Sequence, residues 1–324
     1  MEQIVFAKKP AAGGVWDTAI IGSGPAALTA AIYTTRGAAS TVILGGENWG
    51  GQLMLTTTVD NYPALPGIQG PDLMAKMRDH AVMFGAEFVQ KNVESVDFSA
   101  SPFVLRSSDF EFKARSAIIA TGADTKWLGV AGEDKLRGKG VSSCAPCDAP
   151  FFKGKSVAVI GGGDSAMEEA LVLTKYATNV TIIHRRDEFR ASEAMQQKVK
   201  TNPQIKILWN TEVKEFVGEQ KLEKIKLLNT KDNSETEIPI DGAFIAIGNV
   251  PSSFVFKENL DLDEKGYIKK LETEKWRMGT SVEGVFVSGD VHDYHYKQAI
   301  TAAGFGCMAA MDALKYLDKS GPSW

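Results

Sequence analysis

The sequence predicts an α/β protein of two domains, each opening on a strand, glycine turn, helix and second strand, and three observations carry that reading. The pattern occurs twice, once from Trp16 and again from Ser156. With 324 residues, the chain exceeds the size at which one hydrophobic core usually stops growing. Its composition, 44% apolar and 23% charged, is that of a globular chain with a sizeable core rather than a disordered or fibrous one.

The first copy starts with the apolar run Trp16 to Ile21 and continues through Gly22, Ser23, Gly24, Pro25, Ala26 and Ala27. A helix-compatible stretch from Leu28 to about Arg36 and a second apolar strand from Thr41 to Leu44 complete it. The second copy has a strand from Ser156 to Ile160 and the turn Gly161, Gly162, Gly163, Asp164, Ser165, Ala166. A helix from about Met167 to Tyr176 and a strand from Val180 to Ile183 come next. Each turn reads G-x-G-x-x-A. The first glycine lets the chain turn sharply, the second lets backbone approach a pyrophosphate, and the small third residue lets helix and strand pack closely. The helix N-terminus then presents free N–H groups and a partial positive charge to phosphate. One such turn is common loop punctuation. Two of them, each framed by a strand and a helix, predict two Rossmann-like dinucleotide-binding domains.

The residues after each second strand tell the two nucleotides apart. After Ile183 comes His184, Arg185, Arg186, Asp187, Glu188, Phe189, Arg190, with three guanidinium groups where an NAD site would carry an acidic residue. Arginine forks match the oxygens of a 2'-phosphate, so this copy is expected to prefer NADP; the alternative is a solvated charged turn. After Leu44 comes Gly45, Gly46, Glu47 with no basic residue, and Glu47 stands out of register with the usual ribose-binding position.

Near the C-terminus, Gly284 to Ser288 reads as a strand ending in Gly289-Asp290, and Tyr296 to Ile300 opens a small-residue helix running to about Tyr316. An aspartate at a strand end can bind a ribityl hydroxyl, and the next helix N-terminus favours an anionic reduced flavin. The plain reading is a turn and then a core helix.

Between the two glycine turns lies Ser143, Cys144, Ala145, Pro146, Cys147, Asp148. Two cysteines three positions apart can close a small disulfide, and such motifs commonly hold one thiol at a lowered pKa, ready for exchange. A structural zinc would need four ligands, and the remaining candidates are Cys307 and four scattered histidines, so no metal is expected. Asp148 is suited to moving a proton as thiol and thiolate interconvert, or to capping the next turn. Cys307, in the C-terminal helix pattern, reads as a buried inert thiol.

The bulk numbers exclude several classes of function. A formal net charge of −4 gives no general reason to bind nucleic acid or anionic membrane, so phosphate binding must be local. The sequence has no apolar run long enough for a membrane span, and its first sixteen residues lack the order of a secretion signal. The tail SGPSW is no lipidation or peroxisome signal. Three cysteines do not make a disulfide framework, and a reducing, cytoplasmic compartment is the default expectation.

Taken in order, these segments resemble the low-molecular-weight thioredoxin reductases, from Ile20 to Leu317. The residues carrying the resemblance are GSGPAA at 22 to 27, GGQL at 50 to 53, NYP at 61 to 63, ATGA at 120 to 123 and CAPCD at 144 to 148. GGGDSA at 161 to 166, HRRDEFRAS at 184 to 192, AIGNVP at 246 to 251 and GDVHDYHYKQAITAAGFGCMAA at 289 to 310 complete it. The resemblance implies a FAD domain in two segments, 1–123 and 251–324, with an NADPH domain carrying the cysteine pair, 124–250, inserted between them. The crossings are expected near Thr121 to Thr125 and near Gly248 to Ser252.

By the same resemblance, Cys147 faces the flavin, Cys144 attacks the disulfide of a thioredoxin-like protein, and Asp148 supplies the proton. Gly22, Gly24, Pro25, Ala26, Gln52, Asn61, Thr121 and Gly122 would contact FAD, together with Gly289, Asp290, Gln298 and Ala299. Gly163, Asp164, Ser165, Arg185, Arg186 and Arg190 would contact NADPH. The expected assembly is a homodimer. Nicotinamide and Cys147 need the same flavin ring, so the two must use it in turn, through a domain swing as in the family. The chain departs from the family in Pro146, between the cysteines, and in Ala149, where relatives carry glycine.

The resulting expectation is thioredoxin-disulfide reduction by NADPH through FAD. A FAD-dependent dithiol oxidase using oxygen is the alternative, and the arginine cluster argues against it. Reductase partners of peroxidases carry an additional N-terminal domain with its own cysteine pair, and a non-catalytic sensor would have no need of both cysteines and Asp148.

Overall fold

The computed structural model describes residues 9–318 except 12 and 57. The first eight residues of the segment read for a secretion signal, and the tail SGPSW, lie outside the described residues. The chain divides into two compact units, one made of Met1–Asp124 and Val250–Trp324, the other of Thr125–Asn249.

The first unit is built on a seven-stranded sheet. Glu87–Val89, Thr41–Leu44, Val15–Ile21 and Phe110–Ile119 lie side by side in parallel, and Val285–Val287 pairs in parallel with the end of the last of these. Ser95–Asp97 and Phe103–Ser107 extend the sheet antiparallel from the start of Phe110–Ile119. All four residues of Thr41–Leu44 and all three of Val285–Val287 are buried, as strands covered on both faces must be. The cover on one face comes from helices Pro25–Arg36 and Ala299–Leu317, which meet through small residues. Ala26, Ala27, Ala30 and Ala31 of the first share one core with Ala302, Ala309, Ala310 and Ala313 of the second. The approach is close at Gly306, where an added Cβ would lie 2.2 Å from the Ala26 carbonyl oxygen.

The second unit has a five-stranded parallel sheet in the order Val141–Ser142, Gly242–Ala246, Ser156–Gly161, Asn179–Ile183, Ile205–Leu208. A three-stranded antiparallel sheet, Thr211–Val217, Lys224–Asn229 and Glu235–Pro239, accompanies it. Both units are therefore α/β, with the strand, turn and helix units where the sequence places them.

Several helix boundaries differ from the sequence reading, and both nucleotide helices start inside the turn, at Pro25 and Asp164 rather than at Leu28 and about Met167. The second nucleotide helix spans Asp164–Leu173 rather than running to Tyr176. Its last turn tightens: Lys175 and Tyr176 donate to carbonyls three residues back, and the Thr174 hydroxyl donates to the Leu171 carbonyl. The C-terminal helix starts at Ala299, not at Tyr296. Lys297 has φ +49, which a right-handed helix cannot contain, and Gln298 forms the cap, in a reciprocal capping box with Thr301. Among the described residues, no helix is long and apolar enough to cross a membrane.

Candidate active site

In the first unit, three segments far apart in sequence meet at the first glycine turn. Gly22 has φ +120, and a Cβ there would lie 2.1 Å from the Ala120 carbonyl oxygen, so strand Val15–Ile21 turns directly against the segment that continues into Thr121 and Gly122. Gly289, at φ +72, sits beside Ala26, whose Cβ is 2.9 Å from where its own would be. Gly24 is the N-cap of helix Pro25–Arg36, with Pro25 in its first turn, and its Cβ direction is open, with no atom within 4 Å. The Ser23 hydroxyl braces the loop, donating to the Gly45 carbonyl at 2.6 Å and accepting from the Gly50 N–H at 2.9 Å.

Four other predicted contacts of this unit are held by one another or by the scaffold. Asn61 donates through Nδ2 to Gln298 Oε1 at 3.2 Å, at the start of the helix that begins with Ala299. Gln52 Nε2 donates to Asp124 Oδ1 at 2.9 Å, and the Thr121 hydroxyl to the Ser252 carbonyl at 2.7 Å. Glu47 is exposed, its main chain bonded to the side chains of Asn92 and Gln90.

The loop after Val285–Val287 holds an unusual set of polar atoms. Ser288 Oγ, Asp290 Oδ1 and His292 Nε2 are shut off from solvent and have no hydrogen-bond partner among the described residues. Burial, and then the nearby Asp293 carboxylate, push the Asp290 pKa up to about 7. Burial and Lys270 push His292 down to about 4, so its imidazole is neutral at ordinary pH. Of this trio the sequence reading singles out Asp290 alone. The spacing 288, 290, 292 of polar residues at the end of an apolar strand is the signal it leaves unused.

In the second unit, Gly161 turns against the Ala246 carbonyl oxygen, 2.4 Å from its added Cβ, and Gly163 caps helix Asp164–Leu173 with its Cβ direction open. Gly162 lies over the His184 ring, whose nearest atom is 2.2 Å from an added Cβ. That ring is buried among Phe189 and Trp209, bonded through Nε2 to the Glu188 carbonyl at 2.8 Å, and burial lowers its pKa. The Arg190 N–H donates to the Gly162 carbonyl at 2.8 Å, so the arginine turn and the glycine turn are one assembly. Arg185, Arg186 and Arg190 are exposed on it, as is Ser165 in the first helical turn. The Asp164 carboxylate accepts from the Ser192 N–H and hydroxyl, at 2.9 and 2.7 Å, which fixes the chain leaving the arginine turn.

The redox pair lies in the same unit. Cys144 and Cys147 form a disulfide with their Cα atoms 5.3 Å apart. Cys144 is the N-cap of the short helix Ala145–Asp148, and the N–H groups of Cys147 and Asp148 donate back to its carbonyl at 3.2 and 3.1 Å. Pro146 is exposed and falls in the first turn, where its missing N–H costs no bond. Burial holds the Asp148 carboxyl above the usual carboxylate range, against a hydrogen bond from the Ser142 hydroxyl that pulls it down. Cys307, expected to be buried, is only partly so. It lies on the helix face shared with exposed Met308 and Met311, and its thiol meets the Tyr33 hydroxyl.

Two nucleotide-type α/β units, one of them carrying a disulfide, define a class of nucleotide-dependent disulfide oxidoreductases, and comparison with known proteins agrees. The family model for pyridine nucleotide-disulphide oxidoreductases matches residues 16–306. A thioredoxin reductase of Streptomyces coelicolor is 48% identical over 301 residues, 92% of either chain. One of Rickettsia conorii is 47% identical over 305 residues, 93% of this chain and 97% of its own. Among solved structures, thioredoxin reductase from Giardia duodenalis aligns with a TM-score of 0.89 at 40% identity, covering 93% of this chain and 98% of its own. The enzyme from Streptococcus pyogenes aligns with the same TM-score at 36% identity, over 94% and 99%. The chain belongs to the pyridine nucleotide-disulphide oxidoreductase family, in its thioredoxin reductase branch.

Proposed function

We propose that the chain is an NADPH-dependent reductase that passes two electrons through FAD to the Cys144–Cys147 disulfide and on to a disulfide of a thioredoxin-like protein. The observation that carries this reading is the disulfide itself, closed across one helical turn with a half-buried, pKa-raised carboxyl next to it. The names of the relatives support the thioredoxin-like acceptor.

The residues of the unit containing Gly22 fit FAD. Its ribityl hydroxyls would satisfy buried atoms such as Asp290 Oδ1 that have no partner among the described residues, and the open side of Gly24 leaves room for pyrophosphate. The residues of the inserted unit fit NADPH: Gly163 is open in the same way, and Arg185, Arg186 and Arg190 would hold the 2'-phosphate. We accordingly place FAD in the unit made of 1–124 and 250–324, and NADPH in 125–249. Bound FAD supplies the relay between a hydride donor and a two-electron disulfide acceptor.

The residues of the chain do the rest. Two electrons entering the disulfide leave two thiolates, of which Cys144 takes a proton from the Asp148 carboxyl. In the next half-reaction the Cys144 thiol returns that proton and its sulfur attacks the substrate disulfide, releasing one substrate thiolate. Cys147 then attacks Cys144, releases the second and restores the enzyme disulfide. The sum is NADPH, one proton and a disulfide converted to NADP and a dithiol.

We further propose a homodimer, supported by the exposed Ile300, Met308 and Met311 along the last helix, and a cytoplasmic setting, supported by the need to keep a dithiol reduced. Anaerobic titration of the purified yellow protein with NADPH tests the central claim. It should bleach the flavin absorbance, free the 144 and 147 thiols and support turnover with thioredoxins. A colourless protein unable to hold flavin, or thiols that stay oxidised, refutes it.

A further inference from the structure

Ser142 ends the strand Val141–Ser142, two residues before the first cysteine, and is buried. Its Oγ accepts the Cys144 backbone N–H at 3.1 Å, and the same hydroxyl is hydrogen bonded to the Asp148 side chain. A hydroxyl has one proton to give and lone pairs to accept, so both bonds can exist together. One oxygen atom thus joins the main chain at the first sulfur-bearing residue to the carboxyl next to the second. Its own support lies elsewhere: Ser142 is in register with Phe244 in the parallel sheet of this unit, whereas Asp148 ends a helix of four residues.

We propose that Ser142 is a positioning residue for proton transfer, its hydroxyl holding the Asp148 carboxyl in place beside Cys144 as the disulfide opens and closes. The proposal rests on the reading of Asp148 as proton donor given above. When the sulfur–sulfur bond breaks, the covalent clamp across Ala145 and Pro146 is lost and the short helix can shift. A carboxyl anchored only on that helix would move with it. A carboxyl bonded to a sheet residue keeps its distance from Cys144, and proton transfer is steep in that distance. The donor also favours the ionised carboxyl, which opposes burial and lets one group both release and recover a proton in each cycle.

Three variants of the holoenzyme test this: Ser142→Ala, Ser142→Thr and Asp148→Asn, with the Ser142→Ala/Asp148→Asn double variant. Two rates are read across pH, anaerobic reduction of bound flavin by NADPH and steady-state reduction of a disulfide substrate. Ser142→Ala should leave flavin reduction unchanged and lower disulfide turnover roughly tenfold, the scale of one hydrogen bond to a charged group. The pH limb governed by Asp148 should move to higher pH. Ser142→Thr, which keeps the hydroxyl, should restore both rate and profile, and Ser142→Ala should add nothing to Asp148→Asn. The proposal is overturned if Ser142→Ala slows both rates alike, leaves the pH limb in place, or costs as much in the Asp148→Asn background as alone. If Asp148→Asn itself turns over normally, the proton-donor reading fails and takes this proposal with it. An impaired Asp148→Asn beside a normal Ser142→Ala removes only the tether.

Discussion

Replacing Asp290 with asparagine should stabilise the flavin-free protein at neutral pH and at the same time weaken its grip on flavin. The carboxyl is shut off from solvent at Oδ1, and burial, then Asp293, raises its pKa from 3.8 to about 7, with Lys297 opposing. In the unfolded chain the group keeps its ordinary value. Between the two values the folded protein holds a proton that the unfolded chain has released, so stability falls as pH rises. The slope is about 1.4 kcal/mol per pH unit, starting near the unfolded value and levelling off above the folded one at about 4 kcal/mol in total. Asparagine, neutral throughout, removes the whole term. Urea unfolding of flavin-stripped Asp290→Asn, compared with the parent at the same pH, should show a gain of about 4 kcal/mol at pH 8 and of only about 1.5 kcal/mol at pH 5. In the presence of flavin the gain at pH 8 should shrink, because a charged acceptor for a ribityl hydroxyl is worth about 1.5–3 kcal/mol, or roughly tenfold to a hundredfold in dissociation constant. A stability gain equal at the two pH values, or a loss at pH 8, would refute the argument.

Three further outcomes are expected. Gly306→Val should lower the melting temperature and strip the flavin, because its Cβ falls 2.2 Å from the Ala26 carbonyl oxygen, whereas Gly304→Ala, with nothing within 4 Å, should be neutral or gain up to about 1 kcal/mol in thermal unfolding. Gly162→Ala should weaken NADPH and NADH binding alike in fluorescence titrations, since its Cβ collides with the His184 ring at 2.2 Å, and His184→Ala in the same chain should recover part of the loss. Replacing Arg185 and Arg186 together with alanine should raise KM for NADPH well over tenfold and leave KM for NADH nearly unchanged, since each lost charge-assisted bond is worth about 1.5–3 kcal/mol; equal changes for the two nucleotides would dismiss the cluster as the source of the preference.

The parts of this molecule that can be read from sequence are those fixed by short-range geometry. The glycine turns are legible because Gly22 and Gly161 each press on the carbonyl of a neighbouring strand's end, a constraint that no other residue type meets. The all-buried Thr41–Leu44 is legible because a strand covered on both faces is mostly apolar and carries no charge, here Val42, Ile43 and Leu44 after Thr41. Helix ends are less so: nothing in the apolar pattern marks Lys297 as left-handed, or the tightened turn after Leu173. Asp164 reads as a nucleotide contact from its place in the turn, and the bonds from Ser192 to its carboxylate arise from a loop twenty-eight residues later in the chain. Ser142 carries no signal at all, because its meaning depends on a four-residue helix folding back over the end of a strand. Polar side chains of this kind acquire their role from tertiary contacts, which local periodicity does not encode.

The contact between Gly306 and Ala26 also bears on how the molecule is made. The first glycine turn leaves the ribosome well before the helix that seats against it has been synthesised. Everything needed for the middle unit, Thr125–Asn249, is by then already available. At roughly 5–20 residues per second, the stretch from Val250 to Leu317 takes several seconds to appear. The inserted unit therefore has time to fold first, and the outer unit waits, with one wall of its core missing, until that last helix has emerged.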